Sequence, residues 1–185
     1  VKKIYEGFKH KNCVNILKSY LVKDNEQKET IYTDYCRYGS LSNYLRKNKI
    51  TLSLKTKLYF LLQVATGIQF LHSENIIHMD IKPSNVLIAA DLWVKVTDFG
   101  QAIFYGDRNT KGCTLSYTAP EVLQGKRVDW SADIYSFGVM IYEVLNGNSL
   151  FSKRTSTMHR FAEDHQSDNP EFKIHPESLY SCGPK

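Results

Sequence analysis

Three short polar blocks follow one another in the middle of this 185-residue chain, and their order and spacing constrain its fold more than any other feature. They are His-Met-Asp-Ile-Lys-Pro-Ser-Asn at 78–85, Asp-Phe-Gly at 98–100 and Ala-Pro-Glu at 119–121. Taken alone, each block is typical of a turn, because Asp, Gly and Pro favour turns for local backbone reasons. Apolar runs at 86–88 and 93–96 lie between the first two blocks and predict strands. The conjunction indicates loops held on a defined scaffold rather than isolated turns.

Together, the three blocks resemble the signature set of the eukaryotic protein kinases, where they form the catalytic loop and the two ends of the activation segment. The resemblance implies an α+β fold of protein-kinase type, with a mostly helical C-lobe and the remnant of a small β-rich N-lobe. It divides the chain into a partial N-lobe at 1–38 and a C-lobe core at 39–151. The first part would hold the end of helix αC, two strands and the hinge. We expect the polar tail at 152–185 to be irregular or a truncated part of the C-lobe.

The resemblance assigns the reaction to side chains in and after the first block. Asp80 would accept the proton of the attacking hydroxyl, and Lys82 would offer a compact positive charge to the phosphate oxygens. Asn85 and Asp98 would hold Mg²⁺, which suits oxygen ligands from a carboxylate and a neutral amide together with phosphates. We expect His78 to lie packed beneath the loop and not to react.

A fourth catalytic residue comes from the run Thr-x-x-Tyr-x-Ala-Pro-Glu at 114–121. In the family, the threonine of this run bonds the catalytic acid and lysine, so Thr114 would do so here. This run and the lysine at position 82 are typical of serine/threonine kinases. The resemblance therefore implies transfer of the γ-phosphate of ATP to a Ser or Thr hydroxyl of a protein substrate.

The segment before the first helix resembles the hinge of a kinase, where extended backbone meets the adenine of ATP. By this resemblance Thr33 is the gatekeeper, Asp34, Tyr35 and Cys36 form the adenine edge, and Leu87 is the floor under the base. A strand end followed by a glycine turn is the plainer interpretation of the same residues.

The pattern around these motifs predicts a scaffold of strands and helices. Residues 16–22 and 30–35 are rich in β-branched and aromatic side chains and predict a hairpin, and residues 41–46 predict a short helix. A long amphipathic helix with a core-facing stripe is expected up to Ser73, since apolar residues recur at helical spacing. The stripe consists of Leu54, Leu58, Leu61, Leu62, Ala65, Ile68 and Leu71.

A second long helix is predicted from Asp133 to Leu145, ending at the Asn-Gly pair 146–147. It is apolar nearly all round, which indicates burial. The resemblance gives Asp133 the task of holding the backbone of the catalytic loop.

The composition indicates the compartment and the kinds of partner of the protein more than its fold. The chain has 24 Lys and Arg against 19 Asp and Glu, and the basic residues are spread over its length, which is typical of a solvated surface and not of a nucleic-acid stripe. Its four cysteines lie far apart and predict reduced thiols in an intracellular protein. There is no apolar run of membrane-spanning length. We therefore expect a cytoplasmic protein, although the sequence is also compatible with a nuclear location. We expect neither nucleic acid nor membrane as a partner.

Two family elements are missing from the sequence: the Gly-x-Gly-x-x-Gly phosphate loop and the Val-Ala-x-Lys strand. Because the chain also begins at Val1 and not at Met, we interpret it as part of a longer sequence. We expect residues 1–185 alone to be weakly active or inactive. The alternative is a pseudokinase or truncated kinase that acts as a protein-binding module. We also expect Glu121 to lack the arginine that pairs with it in the family.

Met79 replaces the arginine that usually precedes the catalytic acid. That arginine pairs with a phosphate on the activation loop, so phosphorylation, for example at Thr110, should matter less here. A residue other than arginine at this position, with the Ala-Asp-Ile-Tyr-Ser-Phe run at 132–137, resembles the Mos-like kinases, which implies partners in a MAP-kinase cascade. Cys113 stands where the family usually has glycine.

Overall fold

The computed structural model describes residues 10–13, 16–21, 29–48, 52–107 and 114–147. The predictions made for the helix end before residue 10, for Thr110, for Cys113 and for the tail at 152–185 lie outside the described residues. Within the described part, helices alternate with short antiparallel strand pairs, which confirms the predicted α+β fold class.

The first two strands form an antiparallel pair that leads into the predicted hinge. Strand β1 is Ile16–Leu21 and strand β2 is Glu29–Thr33, with Leu21 opposite Glu29 and Ile16 opposite Thr33. The second strand ends before Asp34 and not at Tyr35 as predicted. Aspartate is poorly suited to strands, and the Asp34 carboxylate instead pairs with Lys95 on another strand.

Two helices follow the hinge, and each begins at a serine cap. Helix α1 is Leu41–Lys47, and the Ser40 side chain accepts a hydrogen bond from the backbone of Asn43. Helix α2 is Leu54–Ser73, and Ser53 accepts from the backbone of Thr56 in the same way. Such caps satisfy backbone donors that the first turn leaves free. Both helices match the predicted elements closely.

The predicted core stripe of α2 is wrong over its first half. Leu54 and Leu62 are 62% and 64% exposed, and Leu58 is also exposed. Burial falls on a neighbouring face that begins at Phe60 and continues through Ile68. Leucines lie on most sides of this helix, so its sequence is compatible with more than one buried face. Contacts with neighbouring elements determine which face is buried. The buried residues of α2 are Phe60, Leu61, Gln63, Val64, Gly67, Ile68 and Leu71.

Gly67 shows how tightly α2 lies against the segment at 10–13. A Cβ atom at this position would stand 2.7 Å from the carbonyl oxygen of Asn12 and 3.1 Å from Val96. The same carbonyl accepts a hydrogen bond from the backbone of Val96 at 2.8 Å. The small glycine therefore lets α2 and the strand that contains Val96 meet around the Asn12 backbone.

Four further strands are two or three residues long and form the frame of the loops. Strand β3 (Ile76–Ile77) pairs with β6 (Ile103–Phe104), and β4 (Val86–Ile88) pairs with β5 (Val94–Val96). The apolar runs between the first two sequence blocks thus form the predicted strands. The first block at 78–85 lies between β3 and β4, and the second at 98–100 lies between β5 and β6.

The last described helices are α3 (Pro120–Leu123) and α4 (Ser131–Asn146). Helix α4 ends as predicted, at Gly147, whose φ of 69° is the left-handed conformation that suits glycine after a helix. It is less uniformly buried than its composition indicated, because Ile134 is 54% exposed. No helix in the described ranges is long and apolar enough to cross a membrane.

Two apolar clusters support the loops from below. The larger one joins α2, β4, β5 and α4, and includes Phe99 of the second block. The smaller one, here called the Met79 cluster, lies beneath the end of the third block. It consists of Ile77, Met79, Ile103, Ala119, Val128 and Ala132, and Ala119 is the first residue of the third block.

Candidate active site

The carboxylate of Asp80 is the centre of a hydrogen-bonded group in the first loop. Its Oδ2 atom accepts from Lys82 Nζ and from Asn85 Nδ2, both at 2.7 Å. Its Oδ1 atom accepts from Thr114 Oγ1, also at 2.7 Å. Asp80 is buried, so these bonds act with little screening by water. All four residues predicted to be catalytic therefore meet at one carboxylate.

Thr114 closes this group across the sequence. Lys82 Nζ donates to its Oγ1 atom at 2.6 Å, while the same hydroxyl donates to Asp80. The threonine thus links the first loop to the residues just before the third block. The sequence predicted this bridge only through the family resemblance, since Thr114 lies 34 positions from Asp80.

Asp133, at the beginning of α4, holds the backbone of the first loop as predicted. Its two carboxylate oxygens accept from the backbone of His78 at 2.8 Å and of Met79 at 2.9 Å. Its Oδ2 atom also contacts Nε2 of His72 at 2.9 Å. The carboxylate is completely buried. These bonds fix the entry of the loop two residues before Asp80.

His78 lies beneath the loop and contributes to its structure. Its Nδ1 accepts from the backbone of Asp80 at 3.2 Å, its Nε2 lies 3.0 Å from the carbonyl oxygen of Thr97, and its ring lies 5.1 Å from that of Phe99. Burial lowers the pKa of His78, although the nearby carboxylates of Asp133, Asp80 and Asp98 act in the opposite direction. A neutral imidazole therefore joins the first and second loops.

Met79 adopts a left-handed backbone conformation with φ of 67°, which is uncommon for a residue other than glycine. Its side chain is buried in the Met79 cluster, next to Ala119 and Val128. Apolar burial therefore takes the place of the positive charge that the family usually has here. This location is consistent with the predicted smaller role of loop phosphorylation, which stays a prediction.

Asp98 begins the second loop beside Asn85. The backbone N–H of Thr97 donates to the carbonyl oxygen of Asn85 at 3.0 Å. This bond joins the segment that contains Asn85 to the residue directly before Asp98. Asp98 has a left-handed φ of 64°, and its exposed carboxylate receives a long 3.4 Å hydrogen bond from Gly100. Left-handed geometry at an aspartate is tolerated because its short polar side chain bonds nearby backbone.

The ligand chemistry of Asn85 and Asp98 fits Mg²⁺. The amide nitrogen of Asn85 makes both of its hydrogen bonds to Asp80, which leaves the amide oxygen as the atom directed away from that residue. Asp98 adds a solvent-accessible carboxylate on the adjoining strand end. Magnesium is commonly held by one or two such groups plus substrate phosphates. In the described ranges no three His, Cys, Asp or Glu side chains form a ready metal site.

The predicted hinge residues occupy the stretch between β2 and α1. Thr33 is the last residue of β2, Asp34 and Cys36 are half-buried, and Tyr35 is 86% exposed. Residues 34–36 have no regular secondary structure, and a turn follows in which the N–H of Gly39 donates to the carbonyl oxygen of Cys36 at 3.1 Å. Leu87, the predicted floor, lies on β4 and bridges to Ser40 at the start of α1. The hinge thus borders the β4–β5 pair, and its role as an adenine edge stays a prediction.

Lys95 belongs to this edge but was not predicted from the sequence. Its Nζ atom lies 2.8 Å from Oδ2 of Asp34, although the two residues are 61 positions apart. A lysine in a short strand gave no motif to recognise. The alternation of buried Val94 and Val96 around it was the only signal that its side chain faces the other way.

The third block is anchored to α4. Tyr117 Oη donates to a carboxylate oxygen of Glu143, and the hydroxyl of Ser136 donates to the carbonyl oxygen of Tyr117 at 2.7 Å. Burial, together with the bond to Glu143, raises the pKa of Tyr117. Glu121 is only partly buried and accepts from the hydroxyl of Ser131 at 3.1 Å. The carboxylate of Glu121 is therefore partly exposed and has a hydroxyl partner, while the expected lack of an arginine partner stays a prediction.

Comparison with known proteins identifies the family of the chain. The family model described as protein kinase domain matches residues 2–181. The chain belongs to the protein kinase domain family.

Similar curated proteins are serine/threonine kinases. The serine/threonine-protein kinase CLA4 of Candida albicans is 38% identical over 148 residues, which are 78% of this chain and 15% of that protein. The serine/threonine-protein kinase ULK1 of Homo sapiens is 35% identical over 162 residues, 80% of this chain and 15% of that protein. The serine/threonine/tyrosine-protein kinase HT1 of Arabidopsis thaliana is 33% identical over 144 residues, 76% of this chain and 37% of that protein. The chain thus spans well under half the length of these relatives.

Proposed function

We propose that this protein is a serine/threonine protein kinase that transfers the γ-phosphate of ATP to a hydroxyl of a protein substrate. The observation that carries the proposal is the meeting of Lys82, Asn85 and Thr114 at the carboxylate of Asp80. A merely structural aspartate in a turn does not need a cation, an amide and a distant threonine at one side chain. The relatives named as serine/threonine kinases support the same activity.

The geometry supports one division of labour during the reaction. Asp80 accepts the proton of the substrate hydroxyl as its oxygen attacks the γ-phosphorus, and the bond from this phosphorus to the bridging oxygen breaks, so that ADP leaves with the electron pair. Lys82, held 2.7 Å from Asp80, neutralises charge on the transferring phosphoryl group. Thr114 keeps the acid and the cation in register through its bonds to both.

Asn85 and Asp98 are the residues that would hold Mg²⁺, which when bound shields the phosphate charges. Asn85 also has a task of its own, because its amide nitrogen orients Asp80. The adenine of ATP would lie between the backbone of 34–36 and Leu87. We also propose a cytoplasmic location, in keeping with the free thiols of Cys13 and Cys36.

The test compares the full-length gene product with residues 1–185 and with an Asp80→Asn variant of each. We expect the full-length protein to label a generic protein substrate from γ-labelled ATP, and residues 1–185 to show little turnover. The Asp80→Asn change should lower kcat by roughly 10²- to 10⁴-fold, the usual contribution of a general base. Equal labelling by wild type and Asp80→Asn would refute the proposal and favour a protein-binding module.

Regulation and partners follow less directly. Because the Met79 side chain lies in an apolar cluster, we expect the Thr110→Ala variant to keep its activity within about twofold of wild type. Kinases of this family that depend on the loop phosphate would lose most of their activity. Partners in a MAP-kinase cascade remain a prediction from Met79 and the run at 132–137. Phosphorylation assays on purified cascade components would decide it.

A further inference from the structure

Lys95 makes an ion pair with the hinge that no motif assigns. The distance from its Nζ atom to Oδ2 of Asp34 is 2.8 Å, and the two side chains are only 15% and 22% exposed. A charged pair this far from bulk water is screened less than a surface pair, so its loss has a larger effect. The pair joins strand β5 to the residue that directly follows strand β2.

The position of Lys95 on its strand directs it towards the predicted adenine floor. Lys95 stands opposite Leu87 in the antiparallel register of β4 and β5. Directly opposed residues in such a pair place their side chains on the same face of the sheet. Lys95 and Leu87 therefore share one face, and the hinge crosses the edge of that face through Asp34.

The far end of the hinge is already tied to β4 by its backbone. The N–H of Tyr38 donates to the carbonyl oxygen of Ile88 at 3.0 Å, and the N–H of Ile88 donates to that of Gly39 at 2.9 Å. The near end is tied to the same strand pair through the side chains of Asp34 and Lys95. The segment at 34–36 thus lies between backbone hydrogen bonds at its far end and the ion pair of Asp34 with Lys95 at its near end.

The charge of Lys95 also reaches the hinge thiol. Burial raises the pKa of Cys36, the positive charge of Lys95 acts against this rise, and Asp34 and Asp91 add to it. Lys95 is therefore close enough to influence the electrostatic environment of the segment at 34–36, as well as its position.

We propose that Lys95 is a nucleotide-positioning residue, which holds the hinge backbone at 34–36 at the correct distance from Leu87 and so determines the affinity for the adenine base. The inference rests on the proposed function, because it takes ATP as the occupant of this edge. Lys95 acts through Asp34 and does not touch the reacting phosphate. Its removal should weaken nucleotide binding and leave the chemical step intact.

Steady-state kinetics of the full-length Lys95→Met variant provide the test. We expect KM for ATP to rise by about tenfold, which corresponds to about 1.4 kcal/mol of lost binding. The kcat value at saturating ATP and KM for the protein substrate should stay within about twofold of wild type. A Lys95→Arg variant, which keeps a cation in reach of Asp34, should restore most of the affinity for ATP. The matched control is Lys55→Met, which removes an exposed lysine from α2 and should change neither constant.

A double variant separates the ion pair from simple loss of packing. If the pair is the cause, Asp34→Asn combined with Lys95→Met should weaken ATP binding by less than the sum of the two single changes. Strict additivity of the changes, or an unchanged KM for ATP in Lys95→Met, would overturn the inference. A fall in kcat with an unchanged KM would overturn it as well, since it places Lys95 in the chemical step.

Calorimetric titration with MgADP keeps this inference distinct from the proposed function. Weaker MgADP binding by Lys95→Met than by wild type supports the inference even if no phosphoryl transfer is detected. If wild type transfers phosphate and both proteins bind MgADP equally, the inference fails and the proposed function stands. If wild type neither binds MgADP nor transfers phosphate, both proposals fail.

Discussion

The catalytic loop at 78–85 and the hinge at 33–39 meet the same proposed ATP molecule but are built differently. In the loop, side chains hold one another, and the buried carboxylates of Asp80 and Asp133 each accept several hydrogen bonds. In the hinge, Tyr35 is almost fully exposed, and the links to the rest of the fold include backbone hydrogen bonds and the ion pair of Asp34 with Lys95.

This difference corresponds to what each region has to present. Proton acceptance and charge neutralisation need particular side chains within a few tenths of an ångström, and a buried network with satisfied partners provides that precision. Recognition of a flat base by backbone groups needs only that the main chain is held at the right place. Changes in the loop should therefore be costly, and most changes in the hinge should be mild.

The largest expected effect comes from the support of the loop. Replacing Asp133 by Ala leaves the backbone donors of His78 and Met79 without their acceptor, so we expect the free energy of unfolding to fall by about 3–5 kcal/mol. Urea denaturation measures the change, and Asp133→Asn serves if the alanine variant does not fold. The control Asp107→Ala removes an exposed carboxylate and should cost less than about 0.5 kcal/mol. A loss below about 1 kcal/mol in Asp133→Ala would show that the loop does not depend on this carboxylate.

The second prediction concerns Thr114. Thr114→Val removes a hydroxyl bonded to Lys82 and Asp80 but keeps the shape of the side chain. We expect kcat to fall roughly 10- to 100-fold, since a hydrogen bond to a charged group contributes about 1.5–3 kcal/mol. Thr114→Ser keeps the hydroxyl and should retain most of the activity. An unchanged kcat in Thr114→Val would remove Thr114 from the catalytic group.

The third prediction is a dependence of stability on pH. Burial holds the pKa of His78 below its ordinary value of 6.5, so the unfolded chain binds a proton there more readily than the folded one. Stability should therefore fall as the pH drops below about 6.5 and keep falling until the folded-state pKa is reached. Melting temperatures measured from pH 7.5 to pH 5 record this slope.

Two variants assign the slope to its source. In His78→Phe the slope should become shallower, whatever the change in overall stability. His10 also has a pKa lowered by burial and contributes in the same direction, so His10→Asn should remove only its own part. If the pH dependence of His78→Phe matches that of wild type, the buried imidazole is not its cause.

The smallest effect is expected in the hinge. Tyr35 is 86% exposed, so Tyr35→Ala should change the free energy of unfolding by no more than about 0.5 kcal/mol. KM for ATP should also stay within about threefold, because backbone groups would make the contacts to adenine. A loss of stability comparable to that of Asp133→Ala would erase the contrast between the two regions.

Local signals in the sequence predicted most elements of the fold. The helices after the hinge and the end of α4 at Gly147 were predicted, because these features depend on groups close by in the chain. The serine caps at Ser40 and Ser53 are equally local, although they were not among the predictions. Strands β4 and β5 were also predicted from their apolar runs, whereas their pairing was not. The rotation of α2 was not, since it depends on the approach of Gly67 to Asn12 from a distant segment.

For the candidate site, the division runs between residue types and contacts. The spacing of Asp80, Lys82 and Asn85 is short enough for the motif to predict that they act together. The pairs Asp34–Lys95 and His72–Asp133 each span 61 positions, and neither had a periodicity or motif that joined its members.

The sequence alone determined which groups are available: an acid, a cation and an amide within six positions, and a second carboxylate after the next strand pair. The sequence suffices for this because chain connectivity keeps residues a few positions apart close to one another. Only the tertiary structure decided that Met79 is buried and that Lys95 pairs with Asp34, and it shows the contact of Thr114 with Asp80 that the family resemblance implied. These contacts arise when distant segments close around a shared core, and their geometry depends on how all the neighbouring side chains fit.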